Sequence, residues 1–99
     1  MANSNVQVLV SVAALPGKEK EVTSLLLQLV GPSRQEEGCI RYELLQNHVE
    51  PTEFVFIEEW ESEVALMGHI DSIHVQEIFR ELGNLLATPP VIHRYQVLA

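Results

Sequence analysis

Apolar residues recur along this chain first with a period of two, then with the period of a helix, then with a period of two again, and that order of switches restricts the fold more than any other feature. Val6, Val8, Val10, Val12 and Ala14 share one parity, Gln7, Leu9, Ser11 and Ala13 the other, and Pro16-Gly17 punctuates this first strand. From Lys18 the spacing becomes i, i+3, i+4, i+7 at Val22, Leu25, Leu26 and Leu29; Glu19 and Glu21 suit a helix start, and Gly31-Pro32 is expected to stop it. After a polar connection, Cys39 to Gln46 and Glu53 to Trp60 read as two strands joined through residues 47–52, a loop suited to a hairpin. Ser62 then caps a short helix carrying Ala65, Leu66, His69 and Ile70. A second cap, at Asp71 or Ser72, opens a longer helix with Val75, Ile78, Phe79, Leu82 and Leu86 on one face. Pro89-Pro90 ends the helical region, and Val91 to Leu98 is the last strand. The order β-α-β-β-α-β predicts an α+β fold over residues 1–99 as a single domain: a split βαβ arrangement, with a four-stranded antiparallel sheet and helices on one face.

Composition excludes several partners. Six Lys+Arg stand against fourteen Asp+Glu, a net charge of −8. The few cations are scattered, so the phosphate neutralisation of nucleic-acid binding is not expected, nor is attraction to an anionic membrane surface. A single cysteine, Cys39, forms no intramolecular disulfide and suits a reducing compartment, so a cytoplasmic location is expected. The apolar run from Val6 to Leu15 is preceded by no Lys or Arg and is interrupted with period two, so it reads as a strand and not a signal peptide. No apolar stretch approaches the roughly 18 residues of a membrane span.

The two sheet faces differ in character. Val6, Val8, Val10, Val12, Ile40, Tyr42, Leu44, Phe54, Phe56, Glu58 and Trp60 form a mainly apolar set that should meet the helices, joined in the last strand by Val91, His93, Tyr95 and Val97. The opposite set mixes Leu9, Ala13, Cys39, Leu45, Val55, Ile57, Ile92 and Leu98 with Arg41, Glu43, Glu59, Arg94 and Gln96. So many branched apolar residues suit a face packed on a second copy, and a face-to-face homodimer is expected.

Glu58 lies among the apolar set between Phe56 and Trp60. Loss of solvation there raises a carboxyl pKa toward neutrality, where it serves as a general base; the plainer reading is a Glu hydrogen-bonded to a tyrosine or a backbone amide. Tyr42, Trp60 and Tyr95 share that face as amphipathic aromatics, either as core packing or, with Glu58, as the lining of a small-molecule pocket. His69 and His74, on successive helices, can both look inward to shuttle a proton or orient a substrate, or can simply bond neighbouring backbone. His69, His74, His93 and Glu58 include metal-ligand types, but a separation of five across a helix break is not a ligand pattern, so no metal is expected. The glycines are isolated, which leaves no nucleotide-cofactor loop.

The block SRQEEGCIRYELLQ (Ser33 to Gln46), then FVFIEEW (Phe54 to Trp60) and the histidine pair in GHIDSIHVQ (Gly68 to Gln76), resembles the antibiotic biosynthesis monooxygenase domain family, above all its small quinol monooxygenase-like members. The resemblance implies a ferredoxin-like fold that dimerises into an α+β barrel. It maps the family's glutamate onto Glu58, its tryptophan onto Trp60 and its paired histidines onto His69 and His74. Some members of the family oxidise phenols or quinols with O2 and no cofactor, others degrade haem, and one relative isomerises a phosphorylated sugar. The asparagine that polyketide-oxidising members carry four residues before the tryptophan is replaced here by Phe56, and the first strand lacks the asparagine of haem degraders. The expectation is therefore a cofactor-independent monooxygenase of a small quinol or phenol. Glu58, His69 and His74 would be its catalytic residues, and Tyr42, Phe56, Trp60, His93 and Tyr95 its substrate contacts. An isomerase or tautomerase of a small carbonyl compound and a non-catalytic ligand-binding dimer are the alternatives.

Overall fold

The computed structural model describes residues 5–99. Val6–Ala13 forms β1, Glu19–Arg34 α1, Cys39–Gln46 β2, Glu53–Trp60 β3, Glu63–Ile70 α2, Ile73–Leu82 α3 and Val91–Tyr95 β4. The strands lie in the order β2-β3-β1-β4, each antiparallel to its neighbour, and the helices pack on one face in the ferredoxin-like α+β arrangement. Val6, Val8, Val10 and Val12 of the interior strand β1 are buried against Val22, Leu26 and Leu29 of α1 and Ile78 and Leu82 of α3. At the β2-β3 hairpin the Asn47 side-chain oxygen accepts from the backbone of Val49 at 2.8 Å and of Glu50 at 3.1 Å, which explains an asparagine at the start of the turn. Ser62 caps α2 by accepting from the Ala65 amide at 3.1 Å. Among the described residues no helix is long and apolar enough to cross a membrane.

Four local expectations need correction. First, Gly31-Pro32 does not stop α1, which runs to Arg34 with Pro32 inside it. Proline deletes one intrahelical donor, but the end is tied down elsewhere: Ser33 is fully buried, Arg34 Nε donates to the Tyr42 carbonyl at 3.0 Å, and the Gln35 and Glu36 amides close on Pro32 and Ser33. Second, α3 ends at Leu82, and Leu86 instead bridges to Ala14 beyond the helix. Third, β2 carries a bulge: Cys39 faces Trp60 and Arg41 faces Glu59, so Ile40 is the extra residue, 51% exposed, while Cys39 packs on the core.

Fourth, β4 is shorter than expected and presents its other face. Val8 pairs with Arg94 and Val10 with Ile92, so Ile92 and Arg94 lie on the helix side while Val91, His93 and Tyr95 lie on the outer face. A charged residue on the inner side of a strand is tolerated here because β4 is an edge. The Arg94 guanidinium reaches past the core to Glu63 at 3.1 Å and to the Met67 sulfur at 3.7 Å.

The turn from α1 into β2 is pressed against α2. Gly38 has φ +86°, and a Cβ there would lie 2.5 Å from the Ala65 Cβ. Gly38→Ala adds backbone strain to steric overlap and is expected to lower stability by roughly 2–4 kcal/mol. Gly68→Ala, inside α2 with nothing within 4 Å of the added carbon, should raise it by about 0.5–1 kcal/mol. Urea midpoints of the two variants test this; equal shifts would show that Gly38 is not conformationally required.

Candidate functional site

The alternation of β3 sends Phe54, Phe56, Glu58 and Trp60 to the helix side together, so Glu58 is carried into the core by its neighbours. It is 2% exposed. Trp60 Nε1 donates to Glu58 Oε1 at 2.9 Å, satisfying a buried indole and a buried carboxyl at once. Tyr42 stands opposite Glu58 in the β2-β3 register, its ring 5.1 Å from that of Phe56. Burial pushes the Glu58 carboxyl up to about 7; the Trp60 hydrogen bond opposes this, and the charge of Glu36 adds to it. Burial likewise drives the Tyr42 phenol well above its ordinary value, with Glu58 adding to the effect.

Glu58 heads a cavity of about 260 Å³ between sheet and helices, floored by Val8, Val10, Phe56 and Ile92 and roofed by Leu66, Ile70, Val75 and Phe79. Tyr42, Glu58, His69 and Gln76 bring polar groups to this apolar space. His69, 5% exposed, packs on Trp60 with ring centroids 4.5 Å apart and planes tilted by 31°. Its Nε2 faces Glu58 Oε1 at 3.8 Å, and its Nδ1 lies 3.1 Å from each Glu36 oxygen. Burial lowers the His69 pKa more than Glu36 raises it, so the imidazole is neutral near pH 7. His74 Nε2 meets Glu36 Oε1 at 2.5 Å from the other side, and Ser72, at the break between α2 and α3, donates to the His69 carbonyl at 2.6 Å.

Of the catalytic candidates, then, Glu58 and His69 border the cavity, while His74 lies behind Glu36. Of the substrate contacts, Tyr42 and Phe56 line the cavity and Trp60 backs it through Glu58. His93 and Tyr95 lie on the outer face of the sheet, a consequence of the β4 register. Glu36 was absent from the sequence-derived candidates; the only hint was an acidic pair just before Gly38, and its partners are 33 residues away or more. With it, His69 and His74 become one group whose donor atoms lie within 4.8 Å of one another. These are ligand types for a divalent ion, and the His69 Nδ1 separation of 3.1 Å from Glu36 is also that of an imidazole N–H donating to a carboxylate.

Burial of Glu58 makes stability depend on pH with a definite sign. The folded state holds the proton up to about 7 and the unfolded chain only to about 4.5. The stabilisation from the protonated form is therefore complete below pH 4.5 and is lost as pH rises through 7, about 3 kcal/mol in all. His69, with its pKa lowered, slopes the other way and loses stability as pH falls below 6.5. Glu58→Gln isolates the first effect: relative to the native chain it should gain about 3 kcal/mol between pH 4.5 and pH 7.5 in chemical denaturation, and a constant difference would refute the buried-acid assignment.

Residues 6–81 match the family model described as antibiotic biosynthesis monooxygenase. "Uncharacterized protein sll1783" of Synechocystis is 33% identical over 82 residues, 83% of this chain and 56% of its own length, so the present chain spans little more than half of that relative. "Putative monooxygenase YcnE" of Bacillus subtilis is 35% identical over 74 residues, 75% of this chain and 78% of its own. The crystal structure of PA3566 from Pseudomonas aeruginosa superposes with a TM-score of 0.92 at 30% identity, covering 98% of this chain and 97% of that one. With a matching fold and a family match over most of its length, the chain belongs to the antibiotic biosynthesis monooxygenase family.

Proposed function

We propose that this chain is a monooxygenase that oxidises a small quinol or phenol with O2 and without a cofactor. The observation that carries the reading is Glu58: a carboxyl group with a pKa near 7, at the head of an apolar cavity sized for a small aromatic molecule, faced by a neutral imidazole. Family membership supports the oxygenase class. The substrate ring lies against Tyr42 and Phe56, and its hydroxyl points at Glu58 and His69. Glu58, held in place by Trp60, takes the hydroxyl proton, and the electron-rich anion then reduces O2 in a pocket from which the apolar lining excludes water. For a quinol the balance closes without a further reductant: quinol and O2 give the hydroxylated quinone and one water, one oxygen atom entering the ring and the substrate supplying all the electrons.

A proton transferred by the same pair without oxygen would make an isomerase of a small carbonyl compound, since Glu58 and His69 face one space from two sides. The proposal further takes the outer sheet face, where Leu9, Val55 and Ile57 sit with Arg41 and Glu43, as covered by a second copy of the chain.

Oxygen uptake with a panel of hydroquinones and phenols tests the reading. The base must be ionised, so kcat/KM should rise with pH through about 7. Glu58→Gln and His69→Ala should each lower it by roughly 10²-fold or more; undiminished uptake in both would sink the assignment, and turnover that persists without oxygen would favour the isomerase. For the assembly, sedimentation should show a dimer that Ile57→Lys converts to monomer, whereas a monomeric native chain would rule the dimer out.

A further inference from the structure

We infer that Glu36 is a positioning residue that holds His69 in the tautomer protonated at Nδ1, so that the Nε2 lone pair faces Glu58 and the two together seat one substrate hydroxyl, with His74 fixing Glu36 from behind. The inference rests on the reading above for the hydroxyl, and for the tautomer on the Glu36 geometry together with the burial that keeps His69 neutral.

The Glu36 carboxylate accepts and does not donate. His69 Nδ1 lies 3.1 Å from both of its oxygens, so that ring nitrogen must present an N–H to it, and His74 Nε2 contacts one of the same oxygens from the other side. A neutral His69 has a single N–H, and spending it on Glu36 leaves Nε2 as an acceptor. That nitrogen is 3.8 Å from Glu58 Oε1, too far for a direct hydrogen bond. The gap is nevertheless the right size for an oxygen between them, because an atom about 2.8 Å from each of two points 3.8 Å apart is readily placed. A hydroxyl there donates to Nε2 while it receives from a protonated Glu58, or donates to Glu58 once that carboxyl is ionised, so its proton has an acceptor in either state. Should Nε2 take it, the resulting imidazolium is stabilised across Nδ1–H by the Glu36 carboxylate, the role a carboxylate plays behind an imidazole base.

The supporting shell is built from the irregular parts of the fold. Glu36 follows the end of α1 beyond Pro32, and Gly38 lets the turn lie against Ala65. His74 belongs to the first turn of α3, and Ser72 ties the start of that helix to the His69 carbonyl. His69 itself is clamped between Trp60 and Tyr42, ring centroids 4.5 and 5.3 Å away, so it cannot turn over without repacking both.

Nitrogen-15 NMR of the imidazole groups tests the tautomer independently of activity. Near neutral pH the native chain should show His69 with its proton on Nδ1, and Glu36→Gln, which turns one of the two acceptor oxygens into an NH2 donor in the same volume, should lose that single form. His74→Gln should loosen it partially, and serves as the second variant if Glu36→Gln folds poorly. In oxygen uptake Glu36→Gln should lower kcat at least tenfold with KM changed less than threefold, because the seat is misaligned while the ring contacts remain. A native His69 protonated at Nε2, or a tautomer unchanged in both variants, overturns the inference; so does a lost tautomer with undiminished kcat. If the native chain turns over no quinol, the proposed function fails, and the nitrogen shifts still decide what Glu36 does to His69.

Discussion

The site depends on one carboxyl group that the strand period leaves no choice but to bury. β3 alternates Phe54, Phe56, Glu58, Trp60 on its inner side, and the three aromatic residues supply the drive that carries Glu58 with them. Two effects then compete. The indole N–H at 2.9 Å favours the ionised carboxylate, and loss of solvent favours the acid; burial wins, and the proton affinity moves up to about 7. Had the hydrogen bond prevailed, the same residue would be a fixed anion unable to exchange a proton near neutral pH. The balance matters more than either contribution.

Around that group several departures from regular structure gather. The α1 end that continues through Pro32, the left-handed turn at Gly38, the bulge at Ile40 and the break between α2 and α3 all lie within the residues that set Glu36, Tyr42, His69 and His74. Each departure has a mechanical result. The helix extension delivers Glu36, the glycine lets its turn approach α2, the bulge turns Cys39 inward while Tyr42 stays opposite Glu58, and the helix break puts two histidines five residues apart on the same carboxylate. Regular strands and helices carry Tyr42, Glu58 and His69, and the irregular joints bring Glu36 and His74 up to them.

Much of this frame could be read from residues alone, for a physical reason. In β1 and β3 the two faces differ sharply in polarity, so the parity of Val6 to Val12 and of Phe54 to Trp60 was unambiguous, and with it the burial of Glu58. Edge strand β4 carries no such contrast: Arg94 looks outward by its charge, yet its long side chain reaches solvent from the inner face and pairs with Glu63, and the inverted parity took His93 and Tyr95 with it. Ile40 failed because an inserted residue shifts parity without altering composition. Glu36 was invisible because its meaning comes from His69, 33 positions later, and no local period links a loop carboxylate to a helix histidine.

The electrostatics of the cavity also limit how the proposed chemistry can run. Among the described residues no Lys or Arg lines the cavity. Arg34 donates instead to the Tyr42 carbonyl and Arg94 to Glu63. A phenolate formed there has no fixed cation to rest against, and in an apolar space an uncompensated anion is strongly disfavoured. Its charge is held best by the proton it has just released, on Glu58 or on His69 with Glu36 behind it, with the neutral donors Tyr42 and Gln76 as the other polar groups of the lining. Deprotonation is then favourable only while the proton stays within hydrogen-bond reach of the oxygen, which ties the lifetime of the reactive anion to the geometry of those three side chains. In the proposed reaction, such a site would protect the substrate from adventitious ionisation and tie its oxidation to those three side chains.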